Sequence, residues 1–370
     1  MIAGSVMYRL QCKKTKLQPV NLYFEQPTVD TLLNGEYGEL YEKLCKCKNN
    51  LNFFHEKSLK DMYIVTRNEL YPKNDFYSRA GTKIRDIFRE IPELSNFKSF
   101  IDLCSGPGAW TDYLLELGGK GISLSIQTSN PNFCFYSTLE VNPNVECKYM
   151  DIREILSNSE EYTCVDLITA DGAIDSENEN LQEIVCAETI LTECIYIKYL
   201  KLKGNFIVKI FDTFTSFSKT LIYTLSQMFT DIYIYKPDSS RGINSEKYLI
   251  CLTLKNKDYI DLLTNVLINY KTIPKCVIPI ISVHSDSKFS LGFGQYMKRS
   301  VEIQCNHLNK IIEKLEEKIT PKEDECIDFS KGKYGKAKGK GFEKGKNYNF
   351  FEKGKGDKGK GKGYKKGKPY

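Results

Sequence analysis

No stretch of the 370-residue chain stays apolar for the roughly 18 residues that a membrane-spanning helix needs. The first seventeen residues are interrupted by Arg9, Lys13 and Lys14, which argues against an export signal. Paired metal ligands are also lacking. Cys45 and Cys47, with His55 nearby, form the only cluster with the look of a metal site, and no second ligand pair accompanies them. No metal is therefore expected. The thirteen cysteines stand mostly alone inside apolar runs (Cys104, Cys164, Cys194, Cys251), as reduced core thiols do. Together these absences predict a soluble intracellular protein, in nucleus or cytoplasm, with no membrane partner.

The net charge of +6 conceals an asymmetry. Residues 331–370 hold 15 Lys and 3 acidic residues, so the preceding 330 residues carry a net charge of −6. That tail also has 11 Gly and seven Tyr or Phe among its 40 residues, without apolar periodicity, and is expected to be disordered. Its lysines suit sequence-independent attraction to RNA phosphates.

From residue 76 the sequence alternates strand-like and helix-like segments, which predicts an α/β fold with a mostly parallel sheet between helices. NFKSFIDLC, GISLSIQ, ECKYMDIRE, CVDLITADG and GNFIVKIF read as strands. DIYIYKP and KYLICLTL read as an antiparallel pair at the edge. A long helix is expected through NLQEIVCAETILTECIYIKYLK, and another through SFSKTLIYTLSQMF. Four regions follow: an N-terminal flank at 1–75, the α/β domain at 76–255, a helical extension at 256–330 and the basic tail at 331–370.

Between a strand and a helix lies Ser105-Gly106-Pro107-Gly108-Ala109-Trp110, a loop whose glycines let a ligand approach the backbone near a helix N-terminus. It is not the dinucleotide fingerprint. Thr111 stands at the third glycine position, and Gln127 stands where a ribose-binding acid would be expected. Asp102 on the strand before the loop, and Asp151 at the end of the third strand, are candidates for holding the loop and for contacting an adenine amino group.

Four charges then demand an explanation. Asp171 ends a hydrophobic run, Lys209 interrupts FIVKIF, Glu246 precedes KYLICL, and Lys83 lies in RAGTKIRDIFREI. Charges seldom interrupt buried strands unless paired or functional. Beside Glu246, the polar segment containing Ser239, Ser240, Arg241 and Asn244 could meet phosphate and ribose. Arg79 and Asn180 are weaker candidates for the same ligand.

DLCSGPGAW, the ADG at Ala170–Gly172, IVKIFDTFTSFS and KPDSSRGINSEKYLIC together resemble the FtsJ-like ribose 2′-O-methyltransferases. Within that group the chain looks most like the mRNA cap-1 enzymes of eukaryotes and large viruses, through NLQEIV, the FDTF stretch and the Ser-Arg…Asn-Ser-Glu…Tyr run. The resemblance spans about residues 76–255. It implies a Rossmann-like methyltransferase with Lys83, Asp171, Lys209 and Glu246 as its catalytic tetrad. S-adenosylmethionine would lie at Ser105, Gly106, Pro107, Gly108 and Trp110, near Asp102, Asp151 and Asp171. The implied substrate is capped RNA, with other capping or transcription proteins as possible partners. Lys209 is expected to be the general base, its pKa lowered by Lys83 and by burial. The alternatives are a ribosomal or transfer RNA 2′-O-methyltransferase and a non-catalytic RNA-binding subunit of a capping complex.

Overall fold

The computed structural model describes residues 6–11, 32–55, 59–72, 78–130, 133–157, 161–272 and 287–319. The 331–370 tail, for which disorder was expected, lies outside the described residues.

The chain opens with strand β1 (Val6–Leu10), then helices α1 (Gly38–Asn52), α2 (Lys60–Leu70) and α3 (Arg79–Glu90). The alternation follows as β2 (Ser99–Leu103), α4 (Ala109–Glu116), β3 (Lys120–Ser125), the single turn α5 (Ser137–Glu140), β4 (Val145–Tyr149) and β5 (Val165–Ala170). Then come α6 (Gln182–Ile195), β6 (Leu200–Ile210), α7 (Ser216–Met228), β7 (Phe229–Lys236) and β8 (Lys247–Leu254). Helices α8 (Ile260–Thr272) and α9 (Ser287–Ile319) complete the described fold.

One eight-stranded sheet runs β1-β7-β8-β6-β5-β2-β3-β4. The run from β6 to β4 is parallel, while β8 pairs antiparallel with both β6 and β7. The expected antiparallel pair is present, but it does not form the edge. Strand β1, from the N-terminal flank, adds antiparallel to β7 with Val6 opposite Lys236 and Leu10 opposite Ile232.

Each central strand buries both faces, which accounts for the near-continuous apolar runs. On one face Phe100, Leu167, Ile207, Tyr248 and Ile250 pack against Ile84, Ile87 and Phe88 of α3 and Trp110 and Leu114 of α4. On the other, Ile101, Ile168, Val208 and Leu249 pack against α6, α7 and α8. Helix α9 contributes a stripe (Phe289, Phe293, Tyr296, Met297, Val301, Leu308, Ile311, Leu315) to that second core, at the three- and four-residue spacing of a helical face.

Helix α6 stops at Ile195, six residues before the expected end. A 3₁₀ turn at Tyr196–Tyr199 hands the chain to β6, which starts at Leu200 instead of near Gly204. Tyr196, Ile197 and Tyr199 are buried in that turn. An apolar run enclosed on all sides has no polar phase from which to read its period, so the boundary was not visible locally.

Candidate active site at the strand ends

The strands leave β2 in two directions. β3 and β4 extend to one side, β5 and β6 to the other, so the order reverses between β2 and β5. Ligands of doubly wound sheets lie beyond the carboxyl ends at such a reversal. Leu103 ends β2 and Ala170 ends β5, so the Ser105–Gly108 loop and Asp171 both emerge there.

Parallel pairing of β5 with β6 sets Ala170 opposite Val208, which brings the next residues, Asp171 and Lys209, together. The Lys209 ammonium donates to the Asp171 backbone oxygen at 2.6 Å and pairs with Asp171 Oδ1 at 3.1 Å. Across the antiparallel pair Lys209 faces Tyr248, whose hydroxyl donates to the same Oδ1 at 2.9 Å. Two residues before Tyr248, Glu246 receives Lys83 of α3, with Nζ 2.7 Å from Oε1 and 2.8 Å from Oε2. The four charges therefore meet as two ion pairs, on the sheet face covered by α3 and α4.

The electrostatics differ from the expectation for Lys209. Burial acts to lower its pKa, but the carboxylates of Asp171, Glu246 and Glu193 outweigh burial, and the net shift is upward. Lys83 does not set the direction, because its own ammonium is spent on Glu246. For Glu246, burial would raise the pKa, yet Lys83, Lys209 and Lys236 bring it well below the usual carboxylate range. At neutral pH Lys209 and Glu246 are both charged.

Beneath the glycine loop runs a closed polar chain. Thr111 Oγ1 donates to Asp102 at 2.7 Å and lies 2.6 Å from Ser123 Oγ, which lies 2.7 Å from Ser105 Oγ. Thr169 donates to the other Asp102 oxygen at 2.7 Å. Asp102 is fully enclosed, and burial pushes its pKa up to about 7. It ties α4 to β5 under the loop, the first of the two roles expected of it. Trp110 is likewise turned inward: it is 2% exposed, donates Nε1–H to the Ala80 carbonyl at 2.9 Å and packs on Tyr248. Its work is to hold α3 against α4, because the helical phase carries it away from the loop.

The loop is packed tightly enough to require glycine twice. A Cβ on Gly106 would stand 2.3 Å from the Phe133 carbonyl oxygen, and Gly108 has φ +114° with Leu139 against it. Pro107 holds the far side, its carbonyl accepting from Tyr136 N–H at 2.9 Å. Near this loop Ile126 and Phe133 are 49% and 48% exposed, an apolar surface suited to a flat base. Asp151 caps the turn after β4 and is held by the Arg153 guanidinium at 2.6 Å.

The polar residues near Glu246 divide into two groups. Ser240 and Asn244 join it: Ser240 Oγ donates to Glu246 Oε1 at 3.0 Å, and Lys236 bridges to Asn244 and to the Glu246 backbone carbonyl. Arg79, one turn before Lys83 on α3, keeps Nη1 buried with no hydrogen-bond partner, as Arg241 does with Nε. Asn180 does not join the tetrad. It sits on a 3₁₀ turn against α1, donating Nδ2–H to Asn49 at 3.1 Å, with Oδ1 buried and unpartnered. Near it, a buried ion pair crosses from the flank into the domain: Lys48 of α1 reaches Asp212 at 2.9 Å. Among the described residues no group of three or more His, Cys, Asp or Glu is placed to hold a metal ion, and no helix is long and apolar enough to cross a membrane.

A doubly wound sheet with a glycine loop and two lysine–carboxylate pairs at its reversal point defines an α/β enzyme of the nucleotide-binding type. Residues 76–254 match the family model described as FtsJ-like methyltransferase. The cap-specific mRNA (nucleoside-2′-O-)-methyltransferase of Autographa californica nuclear polyhedrosis virus is 28% identical over 233 residues, covering 60% of this chain and 87% of that protein. The Leishmania braziliensis protein named cap-specific mRNA (nucleoside-2′-O-)-methyltransferase 1 is 27% identical over 271 residues, 62% of this chain and 67% of that one. The human protein of that name is 28% identical over 246 residues, 58% of this chain but only 29% of its own length. Among solved structures, a Plasmodium falciparum protein named as a ribosomal RNA methyltransferase shares 22% identity over 49% of this chain and all of that one, with a TM-score of 0.38.

Proposed function

We propose that this protein is an S-adenosylmethionine-dependent ribose 2′-O-methyltransferase acting on the first transcribed nucleotide of capped mRNA. The observation that carries the chemistry is the pairing of Lys209 with Asp171 and of Lys83 with Glu246 at the strand ends. The cap assignment rests on the viral and eukaryotic relatives named above.

The residues present fit the cofactor. The loop at Ser105–Gly108 lies at the reversal point, the exposed Ile126 and Phe133 suit an adenine ring, and Asp151 stands at the end of β4. Asp171 offers a carboxylate beside the place of reaction, favourable for a cation. When bound, the cofactor supplies a methyl group on a sulfonium. In the reaction an O2′–CH3 bond forms as the S–CH3 bond breaks, the bonding pair stays on sulfur, and the 2′-hydroxyl proton must leave.

Lys209 is the group placed to take that proton. It starts as an ammonium, so it first releases its own proton to solvent, and a positive charge held against Asp171 favours that release by competing for the carboxylate. Asp171 and Tyr248 fix the direction of Lys209, while Glu246 holds Lys83 over the ribose site. Positioning of this kind supplies much of the rate of an in-line displacement. Arg79 and Arg241, with donors left unpaired, are suited to phosphate oxygens, and Ser240 and Asn244 to ribose and phosphate.

The test is incubation with labelled S-adenosylmethionine and matched RNAs bearing no cap, an unmethylated cap or a 7-methylguanosine cap, followed by nucleoside analysis. The expected product is 2′-O-methylation of the first nucleotide of capped RNA. Labelling of uncapped RNA alone overturns the cap assignment. No labelling of any RNA overturns the enzymatic reading.

A further inference from the structure

The segment between β7 and β8, residues 237–246, carries Ser240, Arg241, Asn244 and Glu246, yet it has little backbone hydrogen bonding of its own. Within it the backbone closes only through Ser240 N–H to the Pro237 carbonyl at 3.0 Å and Asn244 N–H to the Arg241 carbonyl at 3.2 Å. Ser240 Oγ adds a bond to Glu246 Oε1 at 3.0 Å, and Asp86 of α3 accepts from Ser239 N–H at 3.1 Å, but the side chain with the most hydrogen bonds to the loop is Lys236. Lys236, the last residue of β7, turns its ammonium back under the loop and donates to the Asn244 carbonyl at 2.9 Å, Asn244 Oδ1 at 2.9 Å and the Glu246 carbonyl at 2.8 Å, with Ser240 Oγ at 3.4 Å. Burial and the nearby Lys247 lower the Lys236 pKa to about 7, so its amine is partly charged at neutral pH; as an ammonium it has three donors and no acceptor. Here they reach both ends of the polar stretch.

The outer side of the same loop is seated on α9, far along the chain. Gln304 Nε2–H donates to the Ile243 carbonyl at 3.1 Å, in a buried position. Gly242 lies so close to His307 that a Cβ would approach the ring to 2.3 Å. His307 is itself held by the Tyr71 hydroxyl at 2.9 Å, just past α2. Between Lys236 and α9 lies a cavity of ≈ 20 Å³, lined also by Tyr8, Tyr296 and Gln304. That is room for about one water. It is too small for a ligand, so Lys236 faces the loop and not a second binding site.

We propose that Lys236 is a positioning residue: its ammonium gathers residues 239–246 so that Ser240, Asn244 and Glu246 are presented together, and α9 is the seat that holds the loop there through Gln304 and His307. Through the Glu246 backbone, Lys236 also fixes where the Lys83–Glu246 pair stands. The consequence for RNA rests on the methyl-transfer reading above; the tie itself does not. It places the C-terminal helix, outside the matched family region, among the elements that shape the substrate loop.

The full chain is compared with its Lys236→Met and Gln304→Leu variants. Amide hydrogen exchange at 239–246, the Michaelis constant for 7-methylguanosine-capped RNA and calorimetric S-adenosylmethionine binding are measured for each. Charge-assisted hydrogen bonds to the loop carbonyls are lost in Lys236→Met, so exchange at 239–246 and the RNA Michaelis constant are each expected to rise about tenfold or more, with cofactor binding unchanged. Gln304→Leu is expected to shift both quantities the same way by less, and it decides the matter alone should Lys236→Met fail to fold. Unchanged exchange at 239–246, or a loss spread over the whole sheet with cofactor and RNA binding falling together, overturns the proposal. Should the wild-type chain methylate no RNA, the functional reading fails while exchange at 239–246 still decides the role of Lys236.

Discussion

Lys209 is a lysine with two acceptors on one residue, and its removal leaves Asp171 facing Tyr248 alone. A Lys209→Ala variant is expected to lose about 10²- to 10⁴-fold in kcat, the usual worth of a positioned base. Cofactor binding, followed by calorimetry, should survive, because the glycine loop does not lean on that side chain. Since Lys209 must shed a proton before it can accept one, kcat of the wild type should climb with pH. A flat profile, or an active alanine variant, would remove Lys209 from the role of base. Glu193 makes a different prediction. Its Oε1 accepts from Gly172 N–H at 3.2 Å and its Oε2 is buried without a hydrogen-bond partner, so burial pushes its pKa up to about 8. The folded chain therefore holds a proton that the unfolded chain releases near pH 4.5. This contribution to stability is whole below that pH and is lost as pH rises through about 8. Glu193→Gln should match the wild type in Tm at pH 5 and exceed it by about 2 °C or more at pH 8.5. Equal melting at both pH values would show that the carboxyl is not held protonated.

At the scale of elements, the glycine loop depends on the layer below it. Thr111 bridges Asp102 on β2 to Ser123 on β3, and both contacts are fully buried. Thr111→Val keeps the shape and removes the hydroxyl, leaving Asp102 Oδ2 without that donor. We expect a loss of about 1–3 kcal/mol in denaturant unfolding. Weaker S-adenosylmethionine binding should accompany it, because Ser105 belongs to the same chain of hydroxyls. A variant as stable as the wild type would mean that this network is not what seats the loop. The same layer shows what local sequence can convey. Asp171 and Lys209 were legible because each interrupts or ends an apolar strand, where an unpaired charge is expensive. Trp110 misled, because its position after the glycines suggests a ligand contact while its helical phase points into the core. Glu193 carried no signal, since its importance depends on a neighbour from another segment, Gly172, and the bond from Tyr248 to Asp171, 77 positions away, could not be read from the motif that holds Tyr248. The family match over residues 76–254 bears out the resemblance drawn from four short motifs.

At the scale of the molecule, the flanks and the α/β region share buried contacts. Lys48 brings an ammonium that is 4% exposed to Asp212, 164 residues later, and Lys247 stands 3.7 Å from the same carboxylate. None of this could be read from a helix-like stretch and an FDTF motif taken separately. From its 15 lysines, the tail at 331–370 is expected to have an electrostatic role in RNA binding. Its deletion is expected to weaken RNA binding, most at low salt, while methyl transfer to short capped RNA persists. Affinity that does not change at low salt would refute an electrostatic role for the tail.

Strand β1 has a further consequence, for synthesis. It leaves the ribosome more than two hundred residues before its partner β7, and Arg9 must wait for Asp231, 222 positions on. Until then β1 exposes backbone groups that its partner strand will later pair. This edge of the sheet is thus closed by a strand made long before its partner, and a nascent polypeptide stopped anywhere before residue 236 lacks a complete partner for β1.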